Sequence, residues 1–91
     1  MRLVYSGHAL ARMTERHISP GIVRAIMETG QALAEYPDDR PLPSKLVLGW
    51  DGSRPIHVVS ARDEAEQIEY IVTVYEPDPQ RWFEGFTRRK S

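Results

Sequence analysis

The sequence predicts an α+β domain, and three observations carry that prediction. Apolar residues up to Gly30 recur at helical spacing, behind two serine cap signals at Ser6 and Ser19. From Lys45 onward the spacing shortens to two, and Val, Ile, Thr and Tyr become frequent, as strands favour. Asp51-Gly52 between two of these runs is a hairpin signal, so the strands it joins should be antiparallel neighbours. Helices followed by a meander give α+β rather than an alternating α/β chain.

Each element has its own local reason. Leu3-Val4-Tyr5 reads as a short first strand, and Ser6 caps a helix that runs to Arg16 or His17. Ser19-Pro20 repeats the start signal, because proline at the first helical position loses no needed N–H. Ile22, Val23, Ile26 and Met27 form the apolar stripe of that second helix, and Gly30 stops it. Residues 32–36 read as a strand or an irregular approach to one, and the proline-rich stretch 37–43 reads as a loop. Residues 45–50 and 55–61 are the hairpin strands, 62–67 a solvated turn, and Ile68–Tyr75 a third strong strand. Strict alternation along that strand places Thr73 and Tyr75 on the face of Ile71. Asp78-Pro79 is another cap-plus-proline signal and predicts a short terminal helix from Gln80 to about Arg88. The expected architecture is two short N-terminal helices on an antiparallel meander of three to four strands, with a short C-terminal helix. It forms a single domain over residues 1–91 whose basic tail, 88–91, frays.

Composition narrows the classes of function. Among the 91 residues there is no cysteine, which excludes disulfides and thiolate metal sites and fits a cytoplasmic protein. No apolar run reaches the roughly 18 residues of a membrane span, and the first residues lack the apolar core of a secretory signal. No membrane partner is expected. The net charge of −1 hides an uneven distribution: residues 1–30 balance at +2, residues 31–80 at −6 and residues 81–91 at +3. Basic ends around an acidic middle can fold into one basic face. The overall charge argues against strong unaided binding to duplex nucleic acid.

The most informative stretch is Ser6–Arg16. On a helix His8, Arg12 and Arg16 stand at i, i+4 and i+8, about 40° apart on the surface. That stripe joins one side chain that moves protons near neutral pH to two fixed cations, which suits phosphate chemistry. The plain reading of the same residues is a solvated helix face. His57 lies in a strand and alternates with Ile56 and Val58, so it faces away from them, towards a sheet face that Thr73 and Tyr75 can share. The plain reading there is a half-buried histidine with one hydrogen bond.

Taken together, these residues supply the types that metal-free RNA cleavage requires. A base takes the 2′-hydroxyl proton, an acid protonates the leaving oxygen, and cations hold the charge that builds on phosphorus. His8 and His57 are the expected catalytic pair, and Arg12, Arg16, Thr73 and Tyr75 the expected phosphate or RNA ligands. No cofactor is expected, and no metal: there is no His-x-x-x-His, no Gly-rich phosphate loop and no Gly-x-Ser-x-Gly element. The terminal aromatics Trp82, Phe83 and Phe86 alternate with cations, and read chiefly as packing onto the body.

The pattern Ser-x-His-Ala-x-x-Arg-Met-x-x-Arg-x-Ile-Ser at residues 6–19 resembles the opening of the small bacterial family DUF4258. Matching pieces follow in order: Tyr36-Pro37-Asp38-Asp39 with Pro43, Leu46–Gly49, Arg54–Val59, and Ile71–Pro79 ahead of Trp82. The family in turn is similar to RelE/BrnT-like toxins. That resemblance implies a metal-independent endoribonuclease acting as the toxin of a toxin–antitoxin module, with RNA as substrate and a cognate antitoxin as partner. The same six polar residues, His8, Arg12, Arg16, His57, Thr73 and Tyr75, fall on the recurring family positions. The alternative is a non-catalytic binding module or partner subunit that uses the same groove.

Overall fold

Two serine caps build the first layer of the computed structural model, which describes residues 1–90. A short strand, β1 (Arg2–Tyr5), leads into Ser6, whose side chain accepts from the Ala9 N–H at 2.9 Å and opens α1 (Gly7–Arg16). His17 ends α1 in a left-handed conformation, φ 55°, and its N–H returns to carbonyls of the last turn. Ser19 accepts from the Ile22 N–H at 3.2 Å and opens α2 (Pro20–Thr29). Four strands follow: β2 (Gln31–Tyr36), β3 (Ser44–Asp51), β4 (Arg54–Asp63) and β5 (Ile68–Tyr75).

The five strands form one mixed sheet in the order β1-β5-β4-β3-β2. β2 to β5 are the antiparallel meander, while β1 lies parallel to β5, with Leu3 opposite Glu69 and Tyr5 opposite Ile71. The α+β class stands, but an all-antiparallel sheet of three to four strands is corrected to five strands with one parallel edge. The reason is distance along the chain. The partner of β1 lies more than sixty residues away, and local patterning does not encode such a pairing.

Both helices cover one face. Ala9, Met13, Ile18, Val23 and Ile26 close over Val47, Ile56, Val58, Ile71 and Val74. At Gly49, beneath α2, an added Cβ would collide with the Ile26 side chain, so the close helix–sheet approach depends on glycine there. Strict alternation on β5 fails at one point. Val59 pairs with Thr73 but Ser60 pairs with Ile71, which leaves Val72 as a bulged residue. Ile71 therefore joins the helix-covered face and Thr73 and Tyr75 take the opposite one, a correction to the expected grouping.

The last segment is not a helix. Asp78 supports one turn, its carbonyl accepting from Arg81 and Trp82, and then Gly85 (φ 88°) and Phe86 (φ 60°) turn left-handed. Residues 81–90 fold back on themselves: Trp82 bridges to Arg89, and Lys90 N–H donates to the Arg81 carbonyl at 2.8 Å. Residues 88–90 are thus tied into the fold, while Ser91 lies outside the described residues. No helix among the described residues is long and apolar enough to cross a membrane.

Candidate functional site

The α1 stripe forms as expected, and it is open. Ala9 and Met13 point into the core, which turns His8, Arg12 and Arg16 outward, all three exposed. Arg12 pairs with Glu15 at 2.9 Å on the same exposed surface, a contact of small energetic weight. The Arg16 guanidinium and the His8 ring engage no partner among the described residues. Arg54, from the far end of the β3–β4 hairpin, anchors this helix. Its guanidinium donates to the Arg16 carbonyl at 2.6 Å and the His17 carbonyl at 3.1 Å, and also pairs with Asp51 at 2.8 Å. A cation on the last carbonyls of a helix offsets the negative end of its dipole.

His57 is in a different place and state. Its ring is fully buried on the sheet face away from the helices. Nε2 lies 2.9 Å from the Phe86 carbonyl and Nδ1 lies 3.1 Å from the Tyr75 hydroxyl. A carbonyl only accepts, so Nε2 carries the proton, and Nδ1 accepts from the Tyr75 O–H. Trp82 stands edge-on to the ring at 4.4 Å between centroids and Tyr75 at 5.2 Å. Burial pushes the His57 pKa below its ordinary value, partly offset by the bond to the Phe86 carbonyl. Burial likewise raises the Tyr75 hydroxyl, against a smaller opposite pull from Arg89. The result is a neutral histidine with both nitrogens used, holding the C-terminal segment onto the sheet.

The structure does not bring His8 and His57 together. α1 covers the Ile56–Val58 face, whereas His57 projects from the other face and is sealed by Trp82 and Phe86. Thr73 shares the His57 face through its pairing with Val59, and Tyr75 serves His57 directly. The six residues split into an exposed set on α1 and a set on the far sheet face, where His57 is buried and Thr73 and Tyr75 are half-buried.

A polar group that the sequence reading passed over lies at the end of the helix-bearing face beyond the core. Glu69 is buried on β5, directly opposite Arg62. Arg62 donates to Glu69 Oε1 from Nε at 3.0 Å and from Nη2 at 2.9 Å, and this bond raises the guanidinium pKa further. The available signal was an acid inside the strand Ile68-Glu69-Tyr70-Ile71, on the same side as the core residue Ile71. Reading residues 62–67 as a turn obscured it, because β4 in fact continues to Asp63. Among the described residues no group of three or more His, Asp or Glu is arranged to hold a metal ion.

Fold and site together define a small α+β domain: two short helices over a mixed five-stranded sheet, with an exposed basic stripe on the first helix. Residues 5–76 match a family model described as a domain of unknown function, DUF4258. The chain belongs to that family. No curated protein and no solved structure gives a significant match.

Proposed function

We propose that the protein is a metal-independent endoribonuclease of the toxin–antitoxin type, with its phosphate chemistry on α1. The observation that supports this reading is the open row His8–Arg12–Arg16, whose members stand about 6 Å apart along the helix axis. His8 takes the proton of a ribose 2′-hydroxyl, the 2′-oxygen bonds to phosphorus, and the bond to the leaving oxygen breaks. The imidazolium so formed can return its proton to that leaving oxygen, while Arg12 and Arg16 hold the charge on the phosphoryl oxygens. His57 has no part in these steps. The resemblance to RelE/BrnT-like toxins adds a cognate antitoxin as partner and a cytoplasmic setting.

The test uses purified protein and expression in cells. Intact protein should cleave single-stranded RNA without added metal and arrest growth. His8→Ala should lose at least about 100-fold in cleavage, the usual weight of a general base, and Arg12→Ala/Arg16→Ala about as much through lost stabilisation of the charge on phosphorus. RNA left whole by the intact protein, with His8→Ala as toxic as the parent, contradicts the proposal.

A second reading is a non-catalytic binding module, and one observation favours it. Only part of the sheet face opposite the helices is covered. Val59, Ala61, Tyr70 and Val72 line, with Pro41 and Leu42, an apolar groove of about 680 Å³. On that reading expression leaves growth unchanged, and His8→Ala has no effect.

A further inference from the structure

The C-terminal segment divides the sheet face opposite the helices into two unlike parts. At one end, Trp82 and Phe86 lie over His57. The next residues of β4 to face the same way are Val59 and Ala61, each about 7 Å beyond the last. There the sheet is open. With Leu42, Tyr70 and the bulged Val72 they line the apolar groove of about 680 Å³. Val72 is 41% exposed, an aliphatic side chain left in water on a sheet face. Two carboxylates, Asp39 and Asp63, stand in the lining, and neither has an ion pair among the described residues. The one cation there, Arg40, turns back on its own loop and donates to the Asp38 and Asp39 carbonyls at 3.2 and 3.4 Å.

The segment itself carries the complement. Trp82 bridges to Arg89 and turns towards His57, so its neighbour Phe83 turns away from the body. The Phe83 ring is 41% exposed, with the Arg88 guanidinium 4.5 Å and the Lys90 ammonium 5.7 Å from its centre. Neither cation has an ion pair among the described residues. One face thus presents an aromatic knob between two unpaired cations, and beside it an apolar groove with two unpaired carboxylates. The ring suits the apolar space and the cations suit the acids. Within one chain they do not meet, because Phe83 is not in the groove lining and the Phe86–His57 bond and Trp82 hold the segment at the other end. A second copy, turned by half a rotation about an axis between two such faces, lays the knob of each over the groove of the other. That arrangement is closed and self-complementary.

We infer that the protein forms a two-fold dimer through this face. Phe83, Arg88 and Lys90 of each copy sit in the Val59–Tyr70–Val72 groove of the other, against Asp39 and Asp63. This does not rest on the RNA reading: the α1 row lies on the other side of the sheet and stays open in both copies.

Analytical ultracentrifugation of the full chain, from about 10 µM to about 1 mM, should show the mass doubling with concentration. Added salt should favour the single chain, since the charge pairs at the rim are screened. Phe83→Asp and Val72→Lys each alter an exposed side chain, and each should weaken the dimer at least about 10-fold. Their far-UV spectra and tryptophan emission should match the parent, which reports that the segment is still seated on His57. Asp63→Lys and Arg88→Glu should each weaken the dimer, and the two together should recover part of the loss. In a mixture of isotope-labelled and unlabelled wild-type chains, NMR contacts between copies should join the Phe83 ring to the Val59 and Val72 methyls. A single-chain mass at every concentration overturns the inference, and so does a dimer indifferent to both Phe83→Asp and Val72→Lys. Contacts between copies that fall elsewhere, on the β2 edge for instance, overturn it as well.

Discussion

His8 and His57 are the same residue type on the same small domain, and the sheet between them gives them opposite lives. His8 rides the outward side of α1, in water, in line with two arginines. His57 is fully enclosed, and its two nitrogens are spent on Tyr75 and on the Phe86 carbonyl. A buried neutral histidine with both nitrogens bonded holds structure together; an exposed one beside cations can exchange protons with a ligand. Residue type marked both positions as chemistry, and only the face of the sheet on which each lies tells them apart.

The largest effect should come from His57→Ala. It removes two hydrogen bonds and the ring that seats Trp82, so a loss of about 3–5 kcal/mol is expected, in the range of large-to-small core changes. Chemical denaturation measures it, and a red shift of tryptophan emission should report release of the C-terminal segment. Tyr75→Phe is a smaller break of the same seal. It deletes the donor to Nδ1 and leaves that nitrogen buried and unpaired, costing about 1–3 kcal/mol by the same assay.

Acid should loosen this region without any substitution. The folded-state pKa of His57 is lowered, so the unfolded chain takes up its proton first as pH falls. The stability contributed by neutral His57 is complete above the unfolded value of about 6.5 and is lost as pH falls from there through the lowered folded value. Thermal melts between neutral and mildly acidic pH check the direction, and Tyr75→Phe should retain the dependence, because the ring stays buried. The smallest effect belongs to His8→Ala. A solvated position with no partner among the described residues should change stability by less than about 0.5 kcal/mol. A large destabilisation there would show that His8 is structural after all, and the contrast with His57 would collapse.

The first half of the molecule was legible because its signals are local. Ser6, Ser19-Pro20 and Gly30 mark the helix ends within a residue of where they fall, and Asp51-Gly52 marks the hairpin. That His57 faces away from Ile56 and Val58 was equally readable from alternation. What covers it was not, because Trp82 and Phe86 arrive from nearly thirty residues further on. The Asp78-Pro79 signal produced only one turn, since Gly85 and Phe86 adopt left-handed conformations that no helix can hold. The parallel edge β1–β5 and the bulge at Val72 were hidden for a related reason: both are properties of a pair of strands, not of either alone. Glu69 is not legible locally because its partner Arg62 opens a charged run, 62–67, that reads as a turn although β4 continues to Asp63.

On the proposed function, RNA meets the exposed α1 row, while His57 is sealed under Trp82 and Phe86 on the other sheet face. Amide and imidazole NMR spectra, recorded while a non-cleavable single-stranded RNA is added, test this directly. Resonances of His8, Arg12 and Arg16 should shift and saturate, while those of His57 and Tyr75 stay in place. Shifts centred on His57 and Tyr75, with His8 unmoved, would contradict it.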